Sequence, residues 1–113
     1  MARVAACAAA FLLASGAVAN AAEPQANVAG QSAEDRALIA GAAARVVIAS
    51  AAPGARASWF NAHDNNGGLV TLIGVAGACR RARYDLTLSS RTSTHSYVVT
   101  WCRRADGTWE PRQ

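Results

Sequence analysis

A chain of 113 residues is enough for one domain of ordinary size and too short for two independent cores. Apolar residues make up 52% of it, yet 29 residues are alanine, so large apolar side chains are few and a small core needs some further constraint. All eleven basic residues are arginine against seven acids, a net charge of +4, and residues 79–113 hold seven arginines against Asp85, Asp106 and Glu110. That excess predicts attraction to anionic surfaces and by itself points to no catalytic activity.

The N-terminus reads as an export signal. Met1, Ala2 and Arg3 give a short positive start, and residues 4–18 carry no charge. Ala17, Val18 and Ala19 supply the small residues a signal peptidase needs, so residues 1–19 are expected to be a signal peptide, cleaved within about three residues of Ala19. Asn20, Glu23, Pro24 and Gln25 end the apolar run before about 20 residues accumulate, which argues against a membrane anchor. Cys7 follows small residues as in a lipoprotein processing site, but the six residues before it cannot hold an apolar signal core. Loss of the signal leaves Cys79 and Cys102, an even count that reads as a disulfide in an oxidising compartment.

Residues 20–31 are small and polar and are expected to form a flexible leader, with a domain over 32–113. Ser32 before Ala33, Glu34 and Asp35 is an N-cap followed by acids, where they favour the positive end of a helix. Leu38, Ile39, Ala42, Val46 and Ala49 recur at threes and fours on one stripe, and Pro53 with Gly54 is the expected stop. So alanine-rich a stripe needs a sheet to lie against.

From Ala55 onward the pattern becomes β-branched and aromatic. Arg56–Asn61 reads as a strand, residues 63–68 as a turn by composition, and residues 69–75, apolar on both faces, as an interior strand ended near Gly77. If Cys79 and Cys102 face each other on antiparallel strands, the same register pairs Arg80 with Trp101, Ala82 with Val99, Tyr84 with Tyr97 and Leu86 with His95 on a mostly apolar face. Arg81 with Thr100, Arg83 with Val98 and Asp85 with Ser96 then fall on a polar one. Residues 89–94 lack Gly or Asn, which predicts a loose tip. Asp106 and Gly107 predict a tight turn into a last short strand carrying Trp109.

The ordered set of Trp59, Phe60 and Asn61, then Gly68, Leu69 and Val70, then Cys79 and Arg80 with Tyr84, and finally the run from Cys102 through Asp106 and Gly107 to Trp109 resembles the bacterial 17 kDa surface antigen family. The likeness spans roughly residues 32–111. It implies a small envelope domain at or near the outer membrane, with no catalytic residues to carry over. Relatives often begin as lipoproteins with a well-placed cysteine and have a glycine-rich tip, whereas this chain has a Ser/Thr stretch there.

Other chemistry finds little support in the residues. His63 with Asp64, or His95 with Asp85, are candidate acid/base or metal pairs, but two histidines and two disulfide-forming cysteines do not make a tetrahedral set, and no metal or other cofactor is expected. No Gly-x-Ser-x-Gly elbow occurs, and residues 64–67 lack the spaced acids of a calcium loop. Arg81, Arg83 and Arg104 form a candidate anion-binding stripe, and Arg80 with Trp101 a candidate cation–π pair. Trp59, Trp101 and Trp109 are more simply core filling than a ligand platform.

The expected fold is therefore α+β: one N-terminal helix packed on a single antiparallel sheet of four to five strands, with a Cys79–Cys102 cross-strand disulfide. The expected function is a non-enzymatic, exported surface antigen-like protein of the outer membrane, cell surface or periplasm. The alternative is a binding module for lipopolysaccharide or peptidoglycan through the arginine face. A cell-envelope partner is expected, nucleic acid is not, and the mature chain should contain no transmembrane helix.

Overall fold

The computed structural model describes residues 28–50 and 52–112. One helix, α1 (Ala33–Val47), precedes five strands: β1 (Arg56–Asn61), β2 (Asn66–Ala76), β3 (Cys79–Thr87), β4 (His95–Arg103) and β5 (Trp109–Arg112). The strands pair antiparallel in chain order as a meander, and α1 covers one face. The expected signal peptide, Cys7 and residues 20–27 of the expected leader lie outside the described residues.

Helix α1 starts where its cap dictates. Ser32 is extended, its Oγ accepts the Asp35 N–H at 3.0 Å, and Asp35 Oδ2 accepts the Ser32 N–H at 3.0 Å, a reciprocal capping box. Ile39, Ala42, Ala43, Val46 and Val47 are buried, whereas Leu38 is 37% exposed and lies off the stripe. The helix ends at Val47, short of the expected stop at Pro53. Its terminus is set from across the fold: the Arg80 guanidinium donates to the carbonyls of Val47 and, at 2.8 Å, Ser50. A cation here satisfies free carbonyls and suits the negative end of the helix.

The leader is not loose throughout. Val28 packs against the core, Gln31 N–H donates to Val28 O, and Gly30 O accepts from Asn66, so the expectation of a flexible segment through residue 31 is corrected for its last four residues.

Strand β2 begins earlier than composition implied. The turn is confined to residues 62–65, with Asn65 at φ 58°, and Asn66, Gly67 and Gly68 already pair with Asn61, Phe60 and Trp59. The two glycines serve the rings opposite them. A Cβ at Gly68 would stand 2.7 Å from Trp59 Nε1 and collide with the Asp85 carbonyl, while one at Gly67 would meet Phe60 Cδ1 at 3.2 Å. Trp59 is thereby buried on the helix side, and Phe60 stays 61% exposed on the other.

Strands β3 and β4 pair in the register the cysteines imply, Cys79 opposite Cys102 and Leu86 opposite His95, and the disulfide joins the first of these pairs. Closing a 24-residue loop stabilises the fold by ~3 kcal/mol on the chain-entropy estimate. The apolar face then forms the core: Ala82, Tyr84, Leu86, Val99 and Trp101 cluster with Val70, Leu72 and the buried residues of α1. Trp101 Nε1 donates to Tyr84 Oη at 2.9 Å, and the Tyr84 and Tyr97 rings stack at 4.9 Å. All three tryptophans are buried, and Arg80 lies over Trp109, 4.8 Å from its centroid, rather than over its strand partner Trp101. At the last turn Gly107 takes φ 91°, the conformation that Asp-Gly favours.

Candidate functional site

The face of the sheet turned away from α1 is open, and strand alternation decides what it carries. Val70, Leu72, Ala82 and Tyr84 point to the core, so Thr71, Arg81 and Arg83 point outward with Arg56, Val98, Thr100 and Arg112. Two cross-strand rows result. One runs Arg56, Thr71, Arg83, Val98 across β1 to β4, and the other runs Gly74, Arg81, Thr100, Arg112 across β2 to β5. A bulge between Leu72 and Gly74 keeps β2 in step with both.

Of the expected stripe, Arg81 and Arg83 stand two residues apart on this face. Arg104 lies past the end of β4, in the turn, where its Nη1 pairs with Glu110 Oε1 at 3.3 Å. Glu110 Oε2 also faces Arg112 Nε at 3.6 Å. Arg83 Nε pairs with Asp85 Oδ2 at 3.2 Å, and Asp85 Oδ1 accepts from Ser96 Oγ at 2.6 Å. The side chains of Arg56 and Arg81 make no hydrogen bond or ion pair with another described residue. Five arginines, at 56, 81, 83, 104 and 112, thus share the face and its corner with three acids, Asp85, Asp106 and Glu110, a local charge of +2.

Thr71 lies between Arg56 and Arg83 in the first row. It is 8% exposed, and its Oγ1 has no hydrogen-bond partner among the described residues. A buried hydroxyl without a partner costs about 1–3 kcal/mol in desolvation. Sequence reading missed both Arg56 and Thr71, because they lie on β1 and β2 and reach Arg83 only through sheet pairing. The period-2 pattern of β1 and β2 was the available signal.

A second polar cluster sits on the helix side. Asp35 is fully buried: its Oδ1 accepts from Asn61 Nδ2 at 2.7 Å, and its Oδ2 accepts from Asn66 Nδ2 at 2.8 Å as well as from the Ser32 N–H. Burial alone would push its pKa up, but the Ser32 N–H and the Asn66 and Asn61 amides outweigh burial and hold it at about 2. Asn66 Nδ2 also donates to Gly30 O at 3.0 Å, and its Oδ1 accepts the Ser89 N–H at 2.8 Å. This carboxylate is fully engaged by the protein and is built to hold the leader, α1, β2 and the β3–β4 loop together rather than to move protons.

The histidine pairs offered by the sequence are not formed. His63 Nδ1 contacts Glu34 Oε1 at 2.7 Å instead of Asp64, which accepts from Asn66 N–H and Ser32 Oγ. That exposed contact raises the His63 pKa and lowers that of Glu34. His95 occupies the core-side register and tilts against Tyr97, on the opposite face from Asp85. Among the described residues no three His, Cys, Asp or Glu side chains converge as a metal set.

No protein-family model, curated protein or solved structure matches the chain.

Proposed function

We propose that the chain is a non-enzymatic, exported cell-envelope module of the surface antigen type, and that it holds anionic envelope polymers, lipopolysaccharide or peptidoglycan, against the open face of its sheet. The observation that carries this reading is the pair of exposed guanidiniums, Arg56 and Arg81, with no acid among the described residues in contact, on a face with a charge of +2. Guanidiniums are weakly hydrated and present fixed forks of donors, which suits phosphate and carboxylate groups repeated along a polymer. The Cys79–Cys102 disulfide is compatible with an oxidising location outside the cytoplasm. No helix of the described residues is long and apolar enough to cross a membrane.

Retention of the mature protein on immobilised lipopolysaccharide and on peptidoglycan tests the reading. Retention should fall steeply as salt rises and be lost when Arg56, Arg81 and Arg83 are all replaced by Ser. Equal retention of the triple variant eliminates this face and leaves a structural surface role.

A further inference from the structure

We propose that Arg56, Thr71 and Arg83, with Arg81 beside them, form a subsite for a tetrahedral phosphate group on the open face. The inference rests on the anion-binding reading of that face and specifies its ligand.

Three independent features converge on Thr71. Its cross-strand neighbours are Arg56 on one side and Arg83 on the other, so the two arginine backbones stand about 10 Å apart with the threonine midway. Its hydroxyl is buried and unpartnered among the described residues, although replacement of the hydroxyl by a methyl group would remove the cost of that unmet hydrogen bond. The Arg56 side chain has no partner among the described residues, and among them Arg83 spends only its Nε on Asp85, which orients the guanidinium and leaves both Nη groups available. Asp85 and Arg81 flank Arg83 on opposite sides along β3, so the anion has its place on the Arg81 side, away from the carboxylate.

The geometry favours phosphate over carboxylate. A carboxylate has two oxygens in one plane, and a single guanidinium fork satisfies both. Here the donors come from three adjacent strands in one cross-strand row, one guanidinium from β1, one from β3 and a hydroxyl from β2 between them. A phosphomonoester offers three terminal oxygens and a charge of about −1.5 to −2, one acceptor for each donor. In the envelope such groups occur on phosphorylated polysaccharide and glycolipid, and free inorganic phosphate shares the same chemistry.

Titration of the disulfide-bonded mature protein with inorganic phosphate and, separately, with acetate tests the subsite, read by backbone amide shifts and by thermal melting. Phosphate should shift the amides of residues 56, 71 and 83, bind more tightly than acetate and raise the melting temperature. Thr71→Val, which keeps β-branching and volume, should weaken phosphate about tenfold. It should also raise the melting temperature of the unliganded protein by a few degrees. Arg56→Ser should weaken phosphate to a similar extent. Phosphate affinity equal to that of acetate, or unchanged in Thr71→Val and Arg56→Ser, overturns the inference.

Retention on intact and on enzymatically dephosphorylated lipopolysaccharide separates the subsite from the broader reading. Loss of retention on dephosphorylation identifies polymer phosphate as the source. Phosphate binding that depends on Thr71 without retention on either polymer supports the subsite for free phosphate and removes the polymer reading. Retention lost in the triple arginine variant but indifferent to Thr71→Val and to dephosphorylation keeps the basic face and removes the subsite.

Discussion

Asn66 Nδ2 lies 2.8 Å from Asp35 Oδ2, inside the protein and 31 residues away in sequence. The contact joins the first turn of α1 to the first residue of β2, and Asn66 also holds Gly30 and Ser89. The N-terminal approach, the helix and the loop after β3 are thereby fixed relative to the sheet that carries the open face.

Asn66→Ala should therefore be among the most damaging single changes outside the apolar core. It removes two donors and an acceptor at a buried site and leaves the Asp35 carboxylate, Gly30 O and Ser89 N–H short of partners. A loss of about 3 kcal/mol is expected from unmet buried groups, one of them charged. Urea unfolding measures it, and a loss below about 1 kcal/mol shows that the cluster is peripheral to stability.

Acid should act through Asp35. Its folded pKa of about 2 lies below its ordinary value of 3.8, so the folded state binds fewer protons than the unfolded state in that interval. The contribution, about 2 kcal/mol, is complete above about pH 4 and is lost as the pH falls through about 2. Unfolding free energies of wild type and Asp35→Asn, compared from pH 6 to pH 2, should converge at the acid end. A difference independent of pH contradicts this assignment.

His63 and Glu34 give an independent check on the placement of the β1–β2 turn beside α1. Their contact raises the His63 pKa, so its stabilising contribution is present below the ordinary value of 6.5 and is lost as pH rises through the raised one. NMR titration should place His63 above 6.5 in the wild type and return it toward that value in Glu34→Gln. An unchanged midpoint places the two side chains apart in solution.

Arg80 should matter to stability far more than the arginines of the open face. It satisfies the carbonyls of Val47 and Ser50 and covers Trp109, so Arg80→Ala removes a helix C-terminal cap and a cation–π contact together. A loss of about 2 kcal/mol is expected. Arg81→Ser, one residue on and outward-facing, should change stability by less than about 0.5 kcal/mol. Chemical denaturation of the pair distinguishes the two roles, and equal losses contradict the assigned faces.

Much of the sheet was legible because its determinants are local and periodic. Strand alternation in residues 79–102 and the two cysteines impose one register, and Asp106 with Gly107 marks the last turn. The helix start was legible for the same reason, since Ser32 and Asp35 cap each other within one turn. Its end was not, because Arg80, 33 residues beyond Val47, supplies the terminating donors. Asn66, Gly67 and Gly68 have turn composition but serve as strand: the asparagine fills a buried polar node, and the glycines make room for Trp59 and Phe60. Half of the candidate site was hidden likewise, because Arg56 and Thr71 join Arg83 only once β1, β2 and β3 are side by side.

The most direct test of the open-face account is amide shift mapping of the disulfide-bonded protein with soluble lipopolysaccharide core fragments and peptidoglycan fragments at low and high salt. The account predicts that the perturbed amides cluster at residues 56, 71, 81, 83 and 98 and fade as salt rises, while those of α1 stay unmoved. Perturbations centred on α1 or the β3–β4 loop, or none at low salt with either fragment, would contradict it.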